Sequence, residues 1–186
     1  MTLLKKPGLA KAAIASLLIA LVAACGTMEP PLLEAAEKGD LGTVQKLLDN
    51  GVNVNTTNKE GQNALMLASA HNEEPTALYL MNKGASPFGA DNKGHTTLMA
   101  AAAGGNLQIV NSILMRGANV NQTAKDGTTA LLAAARHGRL SVVDLLLRKG
   151  ADLNARDIDN MTALGYARKG KYRKLTRYLE QAGAPE

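Results

Sequence analysis

Apolar residues recur at one fixed interval, every thirty-third position, over most of this 186-residue chain. Leucine occupies one series at this spacing, and alanine follows three positions later each time: Leu32, Leu65, Leu98, Leu131 and Leu164, with Ala35, Ala68, Ala101, Ala134 and Ala167. Two further series keep the same interval: Leu47, Leu80, Ile113, Leu146 and Leu179, and Gly51, Gly84, Gly117, Gly150 and Gly183. A period held this long predicts a solenoid of stacked repeats that share one core, an architecture that usually binds proteins.

One period, residues 127–159, contains the signals for two helices and a loop. Hydroxyl residues suited to capping follow Gly127, and a run of alanine and leucine then ends at Gly138, which predicts a first helix. Residues 139–149 have apolar residues at helical spacing and end in basic residues, as the helix dipole favours, which predicts a second helix. Residues 151–159 are polar and rich in turn formers, and predict a protruding hairpin loop.

Residues 127–154 read Gly-Thr-Thr-Ala-Leu-Leu-Ala-Ala-Ala-Arg-His-Gly-Arg-Leu-Ser-Val-Val-Asp-Leu-Leu-Leu-Arg-Lys-Gly-Ala-Asp-Leu-Asn. This run closely resembles the ankyrin repeat, and the resemblance extends over residues 31–186. It implies an all-α ankyrin-repeat solenoid of about five helix-turn-helix repeats with hairpin loops. The repeats would span about residues 31–60, 61–93, 94–126, 127–159 and 160–186, the first without its leading hairpin and the last cut short.

The second repeat departs furthest from its neighbours. Its loop reads Ser-Pro-Phe-Gly over residues 86–89, where residues 119–122 read Asn-Val-Asn-Gln and residues 152–155 read Asp-Leu-Asn-Ala. We therefore expect an irregular hairpin there. Phe88, the only phenylalanine of the chain, replaces a loop asparagine of the family pattern. It either anchors a partner or tucks under the irregular loop.

The amino terminus has the features of a secretion signal. Lys5, Lys6 and Lys11 form a basic region, and positions 12–24 form an apolar run without a charge. At about 1.5 Å per residue, this run is shorter than the roughly 30 Å hydrocarbon core that a spanning helix must cross. We therefore expect residues 1–24 to be a cleaved signal peptide.

The apolar run ends in Leu-Val-Ala-Ala-Cys at residues 21–25, which resembles the bacterial lipobox, and Cys25 is the only cysteine. The resemblance implies a lipoprotein that begins at acylated Cys25, with a short tether over residues 25–30; several acyl chains anchor stably where one does not. Because Gly26 is not aspartate, it also implies the inner leaflet of the outer membrane, facing the periplasm. An ordinary signal peptide cut after Ala24 is the alternative, and initiation at Met28 would give a minor cytosolic form.

The charge of the chain is unevenly distributed. Without the three lysines of residues 1–24, 18 basic and 16 acidic side chains remain, a net charge of only +2. Residues 160–186 hold six of these basic side chains and two of the acidic ones. This basic end either caps the array as a solvated surface or meets lipid phosphates or an acidic partner. Secretion, and the lack of tryptophan and of aromatic stacking surfaces, argue against nucleic acid as a partner.

The sequence carries no recognisable catalytic motif. His71, His95 and His137 fall in three different repeats, and there is no His-Glu-x-x-His, cysteine pair, phosphate-binding glycine loop or nucleophile elbow. We therefore expect no enzymatic activity, no cofactor and no metal. A composite metal site built from the three histidines is the remaining enzymatic alternative.

The resemblance implies partner binding by hairpin tips and by first-helix positions that line a concave face. The candidate contacts are Lys59, Glu60, Gln62, His71, Phe88, Asn92, Lys93, His95, Lys125, Asp126, Thr128, Arg136, His137, Ile158, Asp159, Met161 and Lys169. Each is also compatible with an ordinary solvated surface residue, since only a central handful of contacts usually carries the binding energy. We expect the unbound array to be a monomer.

An ankyrin array carried by a lipoprotein resembles the lipoprotein immunity proteins of type VI secretion phospholipase effectors, some of which are ankyrin arrays. The resemblance implies a phospholipase toxin as partner, bound by the concave face so that its active-site entrance or its membrane docking is blocked. Anchoring would raise the local concentration of the immunity protein. The alternative is an adaptor, similar to periplasmic ankyrin proteins that support a resident enzyme such as a catalase.

Overall fold

The computed structural model describes residues 30–185, and the predicted signal peptide, Cys25 and Met28 lie outside them. Five helix pairs follow one another along this part of the chain, which contains no β-strand beyond two isolated bridges. The first helices are α1 Pro31–Glu37, α3 Ala64–Ala70, α5 Thr97–Gly104, α7 Ala130–Arg136 and α9 Ala163–Lys169. The second helices are α2 Leu41–Asp49, α4 Glu74–Asn82, α6 Leu107–Met115, α8 Leu140–Arg148 and α10 Arg173–Gln181. The prediction of an all-α solenoid of about five two-helix repeats is confirmed.

Side chains at one repeated position begin four of the five first helices. Asn63, Thr96, Thr129 and Thr162 each accept the backbone N–H of the residue three positions further on, at 2.9 to 3.3 Å. Each bond satisfies one of the N–H groups that a helix start leaves without an internal partner. The predicted capping by hydroxyl residues after Gly127 is therefore present at Thr129.

Each first helix is ended by a residue in the left-handed conformation. In α5 this residue is the C-cap, and in the other first helices it follows the C-cap. The φ angle is positive at Gly39, Asn72, Gly105, Gly138 and Lys171, which occupy the same position in successive repeats. This conformation stops a helix and turns the chain towards the second helix. The first helices are therefore limited to seven or eight residues.

The core consists of two stacked layers of helices. The first helices pack against one another in chain order, and the second helices α2, α4, α6 and α8 pack in the same order beside them. The predicted leucine series at the starts of the first helices is at most 2% exposed, and its alanine partners are buried. The aliphatic series of the second helices is fully buried from Leu80 to Leu179, whereas Leu47 at the edge is half-buried. No helix within residues 30–185 is both long enough and apolar enough to cross a bilayer.

The hydroxyl of Ser69 is a flaw in this core. Ser69 is fully buried in α3, and its Oγ has no hydrogen-bond partner among the described residues. Alanine fills the same position in three other repeats, as Ala36, Ala102 and Ala135. Because a buried hydroxyl without a partner costs about 1 to 3 kcal/mol, we expect Ser69→Ala to stabilise the array by about 1 kcal/mol. Thermal denaturation followed by circular dichroism measures this, with exposed Ser141→Ala as the control. A lower midpoint for Ser69→Ala would contradict the prediction.

Candidate protein-binding site

The hairpin loops between repeats are joined at one repeated position near their tips. A backbone N–H of each hairpin donates to a backbone carbonyl of the preceding hairpin, at 2.8 to 3.0 Å. The donors are Asn92, Lys125 and Ile158, and the acceptors are Glu60, Lys93 and Asp126. The tips therefore form one continuous row along the concave face. A surface held in this way loses little conformational freedom when a partner binds.

A cleft of about 210 Å³ lies on the concave face, across repeats two to four. Its floor is apolar and consists mostly of small side chains, Met66, Leu67, Ala70, Met99, Ala100, Ala103 and Ala133. Its rim is polar and consists of Gln62, Asp91, His95, Thr128, Arg136 and His137. Ala70 and Ala103 occupy the position at which the other repeats have Glu37, Arg136 and Lys169. The cleft therefore exists because long side chains are missing at this position in repeats two and three.

His95 stands in the rim between two carboxylates. Its Nδ1 lies 3.2 Å from Asp91 Oδ2, and its Nε2 lies 3.4 Å from Asp126 Oδ2. A neutral imidazole donates through one nitrogen only, whereas the protonated ring donates to both carboxylates. Burial alone would raise the pKa of Asp126, but hydrogen bonds from Thr128 and His95 outweigh it and lower that pKa. The carboxylate of Asp126 is therefore charged at neutral pH, and this part of the rim offers acidic groups.

Arg136 forms the basic part of the rim and is held from the next repeat. Its guanidinium donates to the hydroxyl of Tyr166, which in turn donates to the buried carboxylate of Asp157. The guanidinium also lies 4.5 Å from the centre of the Tyr166 ring, and its Nη2 lies 3.7 Å from Asp157 Oδ2. The hydrogen bond to Tyr166 is the largest of the effects that raise the pKa of Arg136. About half of the side chain stays exposed, so the rim presents a positioned cation to solvent.

A family model described as ankyrin repeats in three copies matches residues 32–124 and, again, residues 98–184. The chain belongs to the ankyrin-repeat family. Proteins of this family are generally interaction modules without enzymatic activity, so the array is a protein–protein interaction module. No curated protein matches the chain as a relative.

The ankyrin array brings five of the predicted contacts together in the cleft: Gln62, His95, Thr128, Arg136 and His137. Thr128 is only 6% exposed, so it offers far less surface than the sequence suggests. Asp126 is half-buried, 3.4 Å from His95, and Met161 is half-buried in the fifth repeat. The other predicted contacts near the hairpin tips are exposed: Lys59, Glu60, Asn92, Lys93, Lys125, Ile158 and Asp159.

The remaining three predicted contacts of the ankyrin array also lie outside the lining of the cleft. Lys169 is exposed in α9, and His71 is exposed with its Nε2 3.6 Å from Glu37 Oε1. Phe88 is 60% exposed and lines a different cleft. His95 and His137 line the cleft and His71 does not, and residues 30–185 contain no group of three or more side chains arranged to hold a metal ion.

Sequence reasoning missed Asp91 and Asp157, and it missed the floor of the cleft. Asp91 and Asp157 occupy one repeated position, and each accepts two backbone N–H groups of its own hairpin. Asn58, Asp91 and Asp157 share this repeat position, and the recurrence of a side-chain acceptor there could have marked it in the sequence. Alanine at positions 70 and 103 was a further signal, because the same position is charged in the other repeats.

Proposed function

We propose that the protein is a membrane-anchored periplasmic immunity protein that binds and neutralises a type VI secretion phospholipase effector. The concave cleft is the observation that carries the binding part of this proposal. At about 210 Å³, it is smaller than the roughly 300 to 1,000 Å³ typical of small-molecule sites. It suits one or two side chains of a protruding protein loop better than a metabolite.

The cleft supplies the groups that a protein hot spot needs. An apolar partner side chain would bury itself against Ala70, Ala100 and Ala103, where water is easily displaced. Acidic Asp126 and basic Arg136 would select the orientation, because a wrongly placed like charge is penalised. Exposed Ile158 would extend the contact at the next hairpin tip. A loop from beside the active-site entrance of a phospholipase, bound here, would leave that entrance blocked by the array.

The lipobox-like residues 21–25 support the anchoring part of the proposal. An acylated Cys25 would hold the array at the inner leaflet of the outer membrane, with residues 26–30 as its tether. A phospholipase toxin acts on the same bilayer. Confinement to that surface would raise the effective concentration of the array where the toxin works.

A pull-down tests the proposed function. The bait is residues 25–186 with Cys25→Ser, so that it carries no lipid, and the samples are envelope and secreted fractions. Phospholipase activity is measured in each captured fraction with and without the array. A captured phospholipase whose activity falls on binding supports the immunity role. Capture of a resident enzyme whose activity is unchanged or raised would favour the adaptor and overturn the toxin hypothesis.

Filling the cleft is expected to weaken partner binding. Ala103→Arg places a long side chain on the floor, and Arg136 shows that the position tolerates it. We expect an affinity about tenfold lower or weaker still, because the partner side chain loses its burial. Isothermal titration calorimetry with the captured partner measures this. Gln108→Arg adds the same charge at an exposed site of α6 and serves as the control. Equal affinities for the two variants would place the binding surface elsewhere.

Removing the acylation site is expected to release the protein from the membrane. Cys25→Ser keeps the size of the residue but takes away the thiolate that forms the thioether bond to lipid. The unlipidated chain should leave the outer-membrane fraction, since none of its described helices is long and apolar enough to span a bilayer. Fractionation with immunoblotting and mass spectrometry of the amino terminus measure both effects. Retention of Cys25→Ser in the outer membrane would contradict lipid anchoring.

A further inference from the structure

Asparagine side chains link successive hairpin loops at two of the repeat boundaries. Asn55 Nδ2 donates to the carbonyl of Gly84 at 3.4 Å, and Asn55 Oδ1 accepts the N–H of Ser86 at 2.9 Å. Asn121 makes the same pair of bonds two boundaries further on, to the Gly150 carbonyl at 2.9 Å and from the Asp152 N–H at 2.8 Å. One carboxamide thus satisfies a carbonyl and an N–H of the next loop.

Phe88 interrupts this series at the boundary between them. It occupies the same repeat position as Asn55 and Asn121, one repeat after the first and one before the second. A phenyl ring forms neither hydrogen bond. The equivalent groups are the Gly117 carbonyl and the Asn119 N–H, and neither has a hydrogen-bond partner among the described residues. Both residues are exposed, so a ligand can reach them.

The loop at Phe88 keeps one hydrogen bond of the other loops and lacks another, so the hairpin has part of the irregularity expected from the sequence. The Phe88 N–H donates to Ser86 Oγ at 3.3 Å. In the other loops the side chain at the position of Ser86 accepts the same N–H, two residues further on; these acceptors are Asn53, Asn119 and Asp152. Only the backbone bond that closes those turns is not formed at residues 86–89. The ring does not tuck under the loop but is 60% exposed.

A cleft of about 610 Å³ opens beside Phe88. It is lined by Phe88, Ala90, Leu98, Ala118 and Asn119 among others, and it shares no residue with the concave cleft. Ala90, Gly94 and Thr96 line it, whereas Asp91 and His95 line the concave cleft. Alternate residues of an extended hairpin face opposite sides, so the two clefts lie on opposite faces of the same hairpin.

We propose that this second cleft binds an extended segment of a protein partner that carries an asparagine side chain. The partner's carboxamide supplies the two hydrogen bonds that Phe88 cannot make: its NH₂ donates to the Gly117 carbonyl, and its oxygen accepts the Asn119 N–H. An adjoining apolar side chain packs against Phe88 and Ala118. A carboxylate lacks the donor that the Gly117 carbonyl requires, so the site prefers asparagine to aspartate.

A peptide titration tests this proposal. The protein is the full chain with Cys25→Ser, labelled with ¹⁵N and held in zwitterionic detergent. The probes are acetyl-Leu-Asn-Leu-N-methylamide and its Leu-Asp-Leu counterpart, and the readout is the chemical shift of the Asn119 amide. We expect a saturable shift at millimolar concentrations of the asparagine peptide. The aspartate peptide should bind roughly threefold to tenfold more weakly, the effect of one lost hydrogen bond.

Phe88→Asn is the decisive variant, because its carboxamide would itself bond to the Gly117 carbonyl and the Asn119 N–H and leave neither group for the peptide. It should abolish the shift and raise the thermal midpoint, and the raised midpoint shows that the variant folds. Ala103→Arg alters only the concave cleft and should leave the shift unchanged, which separates this site from the one in the proposed function. No shift at Asn119, equal binding of both peptides, or undiminished binding to Phe88→Asn would each overturn the proposal.

Discussion

Gly104→Ala is expected to destabilise the array by about 2 to 3 kcal/mol, although alanine is the better helix former. Gly104 is the last residue of α5, where that helix packs against α3. A Cβ atom there would lie 3.0 Å from the carbonyl oxygen of Ala70 and closer still to that of Ser69. Both obstacles are backbone atoms, so no side chain can turn aside. The two helices would have to separate, and the floor of the concave cleft would be disturbed with them.

Gly42→Ala is the matched control for this prediction. Gly42 is also a helical glycine, in α2, but the nearest atom to its added Cβ is Asp40 Oδ1 at 3.5 Å, an ordinary contact. Relief of the entropic cost of glycine should stabilise this variant by about 0.5 to 1 kcal/mol. Urea denaturation of both variants gives the two free energies of unfolding. If Gly104→Ala were as stable as Gly42→Ala, the close approach of α3 and α5 would not be needed for folding.

Periodicity made the fold predictable from the sequence, because each position of the repeat has one environment. Leu98 and Leu131 are both buried because each is the second residue of a first helix that packs in the same orientation. The hairpin tips were predictable for the same reason, since Lys93 and Asp159 fall where the repeat leaves the core. A departure such as Phe88 was recognisable only against that regular background.

The binding cleft was less predictable, because it depends on contacts between repeats. Arg136 was predicted as a partner contact, but the sequence did not show that Tyr166 and Asp157 hold its side chain. The position of a residue within its repeat does not reveal this series of hydrogen bonds, since the series needs three different residue types at three positions. Thr128 is likewise only 6% exposed, whereas Gln62, His95 and Met161 at the same repeat position are half-buried.

Asp157→Ala is expected to cost about 2 kcal/mol of stability and to loosen the basic part of the rim. Asp157 Oδ1 accepts the N–H groups of Asp159 and Met161 at 3.0 and 2.9 Å. Its other oxygen accepts the hydroxyl of Tyr166, which is 7% exposed. The third hairpin has Ala124 at this position, and there Asp126 accepts the N–H of Thr128. Asp159 is the equivalent of Asp126, so it can accept one of the two N–H groups that Asp157→Ala leaves without an acceptor. The unsatisfied hydroxyl of Tyr166 has no such substitute.

A double-mutant cycle with Tyr166→Phe isolates that hydroxyl. Tyr166→Phe removes the buried O–H, so Asp157→Ala should cost less in the Tyr166→Phe background, by about 1 kcal/mol. The free energy of unfolding of the four proteins measures the coupling. Asp157→Asn is compared with Asp157→Ala, because it keeps an acceptor for the hairpin. Asn58 at the same repeat position accepts two hairpin N–H groups, at 3.1 and 2.9 Å. Additive effects in the cycle would mean that Asp157 and the Tyr166 hydroxyl are not coupled, and this would contradict the prediction.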